Sequence, residues 1–300
     1  MAEARRGPAA PVAALVFNAA VWGLAWWPFR RLEAHGVHPL WSTALVFAAC
    51  FVLLLATRGR DLRAFRGRPL LLALGLASGI TNVCFNWAVT VGDVVRVVLL
   101  FYLMPAWSVL LAWLLLGEKP DLAAIARLLL ALAGVATVLD ANGHGIPWPR
   151  TGPDVLALAG GFSFAATNVL LRRLGDEVAG ARVLAMFGGG TVVAGGTALV
   201  ATGLAAIPAL PAPAIGWIAT AGLLAAGFLG GNIALQYGAT RLPAHTTALV
   251  MLSEVVFASL SSVAFGAAQL GGRTLAGGAL IFAAAAWSAW PRTPRANGAQ

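Results

Sequence analysis

The sequence predicts an all-α polytopic membrane protein, and three observations carry that prediction. Of 300 residues, 60% are hydrophobic and only 10% charged, with a mean hydropathy of +0.84, whereas a soluble domain of this size exposes far more charge. Apolar runs of about 18 residues or more follow one another, each long enough at about 1.5 Å per residue to cross the roughly 30 Å hydrocarbon core of a bilayer. The formal charge of +9 is spread between those runs, where arginines orient helices, and is not gathered into a nucleic-acid surface.

Taken in order and bounded by Pro, Gly and Arg, the runs give about ten transmembrane helices, near residues 9–30, 39–57, 69–91, 94–116, 121–140, 153–173, 182–204, 213–238, 243–266 and 271–290. The first follows Arg5 and Arg6 as a signal peptide would, but it exceeds a typical h-region and is expected to remain as a span. The fourth carries Pro105, which has no N–H for the Phe101 carbonyl and so marks either a packing kink or the wall of a cavity. Gly117 fits its C-terminal cap and Pro120 the first position of the next helix. Cys50 and Cys84 lie inside apolar runs, as small buried hydrophobes do, and no metal site or disulfide is expected.

The longest polar break, Asp140 to Asp154, divides the chain into two units of five spans, 1–145 and 146–300. Shifted by 149 residues, the fourth span overlies the ninth, matching Leu100 with Leu249, Leu103 with Leu252, Leu111 with Leu260 and Gly117 with Gly266. A shift of 142 lays Arg30, Arg31 and Leu32 over Arg172, Arg173 and Leu174. Five spans per unit force the halves into opposite orientations, the architecture of alternating-access carriers. With the N-terminus cytoplasmic, Arg5, Arg6, the cluster Arg58 to Arg68, Lys119, Arg172, Arg173, Arg182, Arg241, Arg292 and Arg295 fall on the cytoplasmic side. The opposite side keeps only Arg30, Arg31, Arg96, Arg150 and Arg273, so both termini are expected in the cytoplasm.

Polar residues inside the spans are the candidates for function. Ser78, Asn82 and Asn86 repeat every four residues, as do Asn18, Trp22 and Trp26, Phe164 and Asn168, and Asn232 and Gln236. An amide facing lipid loses its hydrogen bonds, so these stripes should face inward, either bonding neighbouring helices or lining a shared cavity. Glu254 is the only acidic residue deep within a span, at the position related by the repeat to Pro105, and is expected to be protonated, paired or wet. His245 is expected at the cytoplasmic interface, and Asp93 with Arg96 as a local ion pair. Trp41, Trp148, Trp217, Trp287 and Trp290 read as interface anchors, and Trp22, Trp26, Trp87, Trp107 and Trp113 as deeper packing or pocket residues. Catalytic patterns are missing: no HExxH, Gly-x-Ser-x-Gly, P-loop or His/Cys cluster occurs, so no enzyme and no cofactor is expected.

Trp22 with Gly23 in the first span, and the fourth-span ending Tyr102, Leu103, Met104, Pro105 through Leu115, Leu116, Gly117, Glu118, resemble the EamA-type members of the drug/metabolite transporter superfamily. Within it the chain is most similar to the bacterial aromatic amino-acid exporters. The resemblance implies a multi-pass protein of the bacterial inner membrane that exports amino acids and similar small metabolites by alternating access, as a uniporter or coupled to protons. Two departures matter: Gly266, Ala267 and Ala268 stand where the family usually repeats Gly-Glu, and Met104 stands where the aromatic exporters tend to have Trp. Met adapts its shape, so a broader neutral amino-acid range is expected. Trp22, Trp26, Asn82, Asn86, Tyr102, Met104, Phe164, Asn168, Asn232 and Gln236 are the expected pocket residues, Glu254 the polar handle, and the Phe101 carbonyl a second acceptor for an ammonium group. The partners expected are an amino-acid substrate and membrane lipid, with no nucleic acid, the protein acting as a monomer. A drug or nucleotide-sugar exporter of the same superfamily, and a non-transporting assembly protein, are the alternatives.

Overall fold

The computed structural model describes residues 9–117, 121–140, 149–174, 179–239, 241–242, 250–251, 253–267 and 271–289. Expectations resting on Arg5, Arg6, Lys119, Pro120, Trp148, His245, Trp290, Arg292 and Arg295 lie outside the described residues. All regular structure among the described residues is helical. In chain order it comprises α1 (Ala9–Leu24), α2 (Trp26–Ala34), α3 (Pro39–Arg58), a 3-10 turn (Gly59–Phe65), α4 (Pro69–Val91), α5 (Val94–Phe101) and α6 (Met104–Leu116). After these come α7 (Leu122–Leu139), α8 (Gly152–Leu174), α9 (Ala179–Gly203), α10 (Ile215–Ala239), α11 (Ser253–Ala264) and α12 (Gly272–Ala289).

Among the described residues, seven segments are long and apolar enough to cross a membrane, and three shorter apolar helices, Ile125–Val138, Ser253–Ala264 and Gly272–Ala284, fall within the expected fifth, ninth and tenth spans. The surface is apolar where a soluble protein's is charged: Leu122, Val192, Ile215 and Leu223 are all more than 70% exposed, while Asn18, Thr43, Ser78, Asn86, Thr167 and Ser262 are buried. That inversion is what a hydrocarbon solvent selects, because polar atoms there must find partners inside the protein. The chain is a multi-pass membrane protein.

The fourth span departs from the single helix expected. It stops at Phe101, passes through Tyr102 and Leu103, and restarts at Met104. Pro105 cannot donate to the Phe101 carbonyl, and the backbone answers with shorter-range bonds, Leu103 N–H to the Leu100 carbonyl and Ala106 N–H to the Leu103 carbonyl. Gly117 at the end of α6 has φ +70° and Gly266 after α11 has φ +67°, so both close their helices in the left-handed region that favours glycine.

Small residues let the helices approach. A methyl group placed on Gly79 would lie 2.5 Å from the Gly189 carbonyl oxygen, and one on Gly134 2.7 Å from that of Gly277, so α4 meets α9 and α7 meets α12 nearly backbone to backbone. The principal packings are α4 with α8 and α9, α3 with α9 and α10, α1 with α10 and α11, α5 and α6 with α8, and α7 with α12. One apolar cluster runs through Phe85, residues 94–103, Ala258 and Ile281, and a second through Phe29, Phe47, Leu184 and Phe228.

Candidate functional site

The break in the fourth span sets Tyr102 at the centre of the first cluster, 4% exposed, with its hydroxyl donating to Glu254 Oε2 at 3.3 Å. Glu254 lies in the first turn of α11, so the two residues face each other across the interrupted span and the start of α11. Its partner could not be read from the sequence, which shows the acid but not the facing hydroxyl 152 residues away. α1 reaches the same place because Gly23 has no side chain: a methyl there would lie 2.7 Å from the Glu254 carbonyl oxygen and from Phe257 Cβ.

The stripe Asn18, Trp22 and Trp26 does face inward. Asn18 Nδ2 donates to Met251 Sδ at 3.4 Å, Trp22 stacks on Phe228 with centroids 4.3 Å apart, and Trp26 Nε1 donates to Ser261 Oγ at 3.0 Å. Trp26 joins the cluster of Tyr102, against which Met104 and Phe164 also pack. Phe164 lies 5.6 Å from the ring of Phe101. Trp22 sits beside the second cluster instead.

The third-span amides serve the scaffold. Asn82 Nδ2 donates to the Ser78 carbonyl at 2.8 Å in its own helix, and Asn86 Nδ2 ties α4 to α3 through Thr43 Oγ1 at 3.2 Å. Asn18 Oδ1 and Asn86 Oδ1 are buried acceptors with no partner among the described residues. Asn168 is half-buried on α8. Gln236 donates to Asn232 at 2.7 Å in the last two turns of α10, with Gln236 exposed.

Several sequence expectations are corrected. The Phe101 carbonyl does not open into a cavity: a methyl on Gly161 would lie 2.6 Å from it, so α8 covers it. Asp93 caps α5 by accepting from the Arg96 backbone N–H at 2.8 Å. The Arg96 guanidinium reaches instead to Asp154 on α8, with Nε to Oδ1 at 2.7 Å and Nη2 to Oδ2 at 3.1 Å, and donates also to the Val138 carbonyl. Local i to i+3 spacing favoured Asp93, but a carboxylate only 1% exposed needs the fork more. Trp217 is buried and donates to the Ala212 carbonyl at 3.0 Å, so it ties down a loop and is no interface anchor, whereas Trp113 is exposed.

No group of three or more His, Cys, Asp or Glu able to hold a metal occurs among the described residues. The arrangement sets one carboxylate and one hydroxyl donor beside the surfaces of Trp26, Met104 and Phe164.

Residues 10–139 match the EamA-like transporter family. Over 173 residues the chain is 34% identical to a protein of Streptantibioticus cattleyicolor described as a probable terminal-alkyne amino-acid exporter, a match covering 55% of this chain and 58% of that relative. A solved crystal structure of a protein overlays on 93% of this chain and 96% of its own, with a TM-score of 0.55 and 20% sequence identity, which establishes likeness of fold.

Proposed function

We propose that this EamA-type chain is a carrier that exports amino acids with apolar side chains, and similar small metabolites, by rocking two inverted five-helix halves about the Tyr102–Glu254 contact. That contact is the observation that carries the proposal. It joins the only acid deep in a span to the break made by Pro105, beside Trp26, Met104 and Phe164. The substrate ammonium takes the place of the Tyr102 hydroxyl on Glu254, and its side chain lies on the aromatic and thioether surfaces.

The packing supports the halves. Exchanging first for sixth span, second for seventh and so on turns α4 with α8 into α10 with α1, and α4 with α9 into α10 with α3, while α3 with α9 and α7 with α12 map onto themselves. Every pair so generated is among the principal packings, as an approximate two-fold axis in the membrane plane requires. The charge distribution supports cytoplasmic termini. Phosphate-bearing substrates fit poorly: Arg96 is taken by Asp154, and Arg127 lies between Asp121 and the face of Trp287.

Uptake of a labelled amino-acid panel into proteoliposomes, with and without an imposed pH gradient, tests this reading on the wild type and on Glu254→Gln. Accumulation that follows the gradient and is lost in the variant supports proton-coupled export with Glu254 as the titrating group. Equilibration that ignores the gradient gives uniport. Movement of no amino acid overturns the substrate class.

A further inference from the structure

The helix ends near Asp154 gather several arginines, and their partners differ. Arg96 is matched by Asp154, and Arg273 by Asp140 at 3.0 Å. Arg30 donates to the carbonyls of Val89 and Gly92, with Asp93 and Glu33 close enough to act on its charge. Arg31 has no carboxylate or carbonyl on its guanidinium among the described residues; it lies 5.0 Å over the ring of Trp27, as Arg30 lies 5.3 Å over Trp26. These four side chains and the turn 265–267 line a pocket of about 260 Å³.

The pocket opens sideways: Trp27 is 42% and Phe265 67% exposed. Gly266 adds no side chain to its wall, and a methyl placed there would meet nothing within 4 Å. From it an exposed apolar stripe, Trp27, Leu24 and Phe17, continues down one face of α1 and α2. Arg31 to Phe17 is 14 residues, about 21 Å of helix rise, roughly one leaflet of hydrocarbon and its headgroup zone.

We propose that this pocket holds the phosphate of an anionic phospholipid, whose acyl chain lies along the α1 stripe. Arg31, placed over the Trp27 ring with no carboxylate or carbonyl on its guanidinium among the described residues, keeps its N–H fork for two phosphate oxygens. Tryptophan belongs at the headgroup level, where its ring is half apolar and half wet. A soluble carboxylate or free phosphate would satisfy the arginines but leave the apolar stripe unused, so the stripe selects the lipid. The inference needs only that the chain spans a membrane, and stands apart from the amino-acid reading.

Native mass spectrometry of the full-length protein in detergent micelles, titrated with phosphatidylglycerol, phosphatidylcholine or glycerol 3-phosphate, tests it. One phosphatidylglycerol should be retained in preference to phosphatidylcholine, and Arg31→Gln should weaken that retention about tenfold, the loss of one charge-assisted contact. Trp27→Leu, which keeps both charges, should weaken it less. A thermal melt of each variant separates a lost site from a lost fold, since the Arg31 side chain touches only the exposed Trp27 ring among the described residues. Equal retention of the zwitterionic lipid, full retention by Arg31→Gln, or binding of glycerol 3-phosphate as tight as the lipid would overturn the proposal.

Discussion

Glu254 and Tyr102 show how much one hydroxyl does at the centre of a membrane protein. A carboxylate among apolar rings is costly unless it is bonded, and Tyr102 supplies the bond. Replacing Tyr102 with Phe removes about 1–2 kcal/mol of hydrogen bonding while leaving the ring in its cluster. The protein should stay folded, and the KM for amino-acid uptake in proteoliposomes should shift several-fold. His38 makes a different demand. Its Nδ1 accepts from the Leu40 N–H at 3.2 Å to cap α3, its ring meets the edge of Trp87, and burial lowers its pKa from the ordinary histidine value. A folded-state pKa below the unfolded one gives stability that is complete above the unfolded value, about pH 6.5, and is lost as pH falls through the folded one. Thermal melts from pH 8 to pH 4.5 should therefore fall on the acid side, and His38→Asn, which keeps a capping oxygen without titrating, should flatten that limb.

Helices were legible where their physics is local. Apolar length marked most of the spans, Pro105 marked the break at Phe101, and Gly117 marked a left-handed cap, while the matching cap at Gly266 came from the structure. Partners were not legible, because a polar stripe shows which face of a span turns inward but not which helix meets it. The glycines decide those faces, and substitution reads them out. Gly23→Ala puts a methyl against the Glu254 carbonyl and should cost about 1–3 kcal/mol by forcing α1 from α11. Gly196→Ala meets nothing within 4 Å and should be neutral or raise the melting temperature, since alanine favours a helix by about 1 kcal/mol over glycine. Detergent melting curves of the two variants should move in different directions. For the site, sequence spacing correctly turned the Asn18, Trp22 and Trp26 stripe inward, but it could not separate amides that bond neighbouring helices, such as Asn86, from groups beside the Tyr102 contact.

Across the whole molecule, Arg96 is the contact that a reader of neighbouring residues misassigns, because its partner arrives 58 residues later on α8. Arg96→Ala leaves the buried Asp154 carboxylate with the backbone N–H groups of Arg150 and Thr151 alone among the described residues and should destabilise by about 2–3 kcal/mol, whereas removing both charges, with Asp154→Leu added, should recover part of the loss. A double-mutant cycle on unfolding in mixed micelles measures this, and a double-variant cost equal to the sum of the two single costs would mean the bridge contributes little. The same crossing pattern bears on how the chain is made. α4 lies against α8 and α9, and α1 against α10 and α11, so the main faces of the early helices are completed only by helices encoded later. The core around α1 and α4 is therefore complete only once α8 to α11 have been made, whatever the early helices gain from packing on one another.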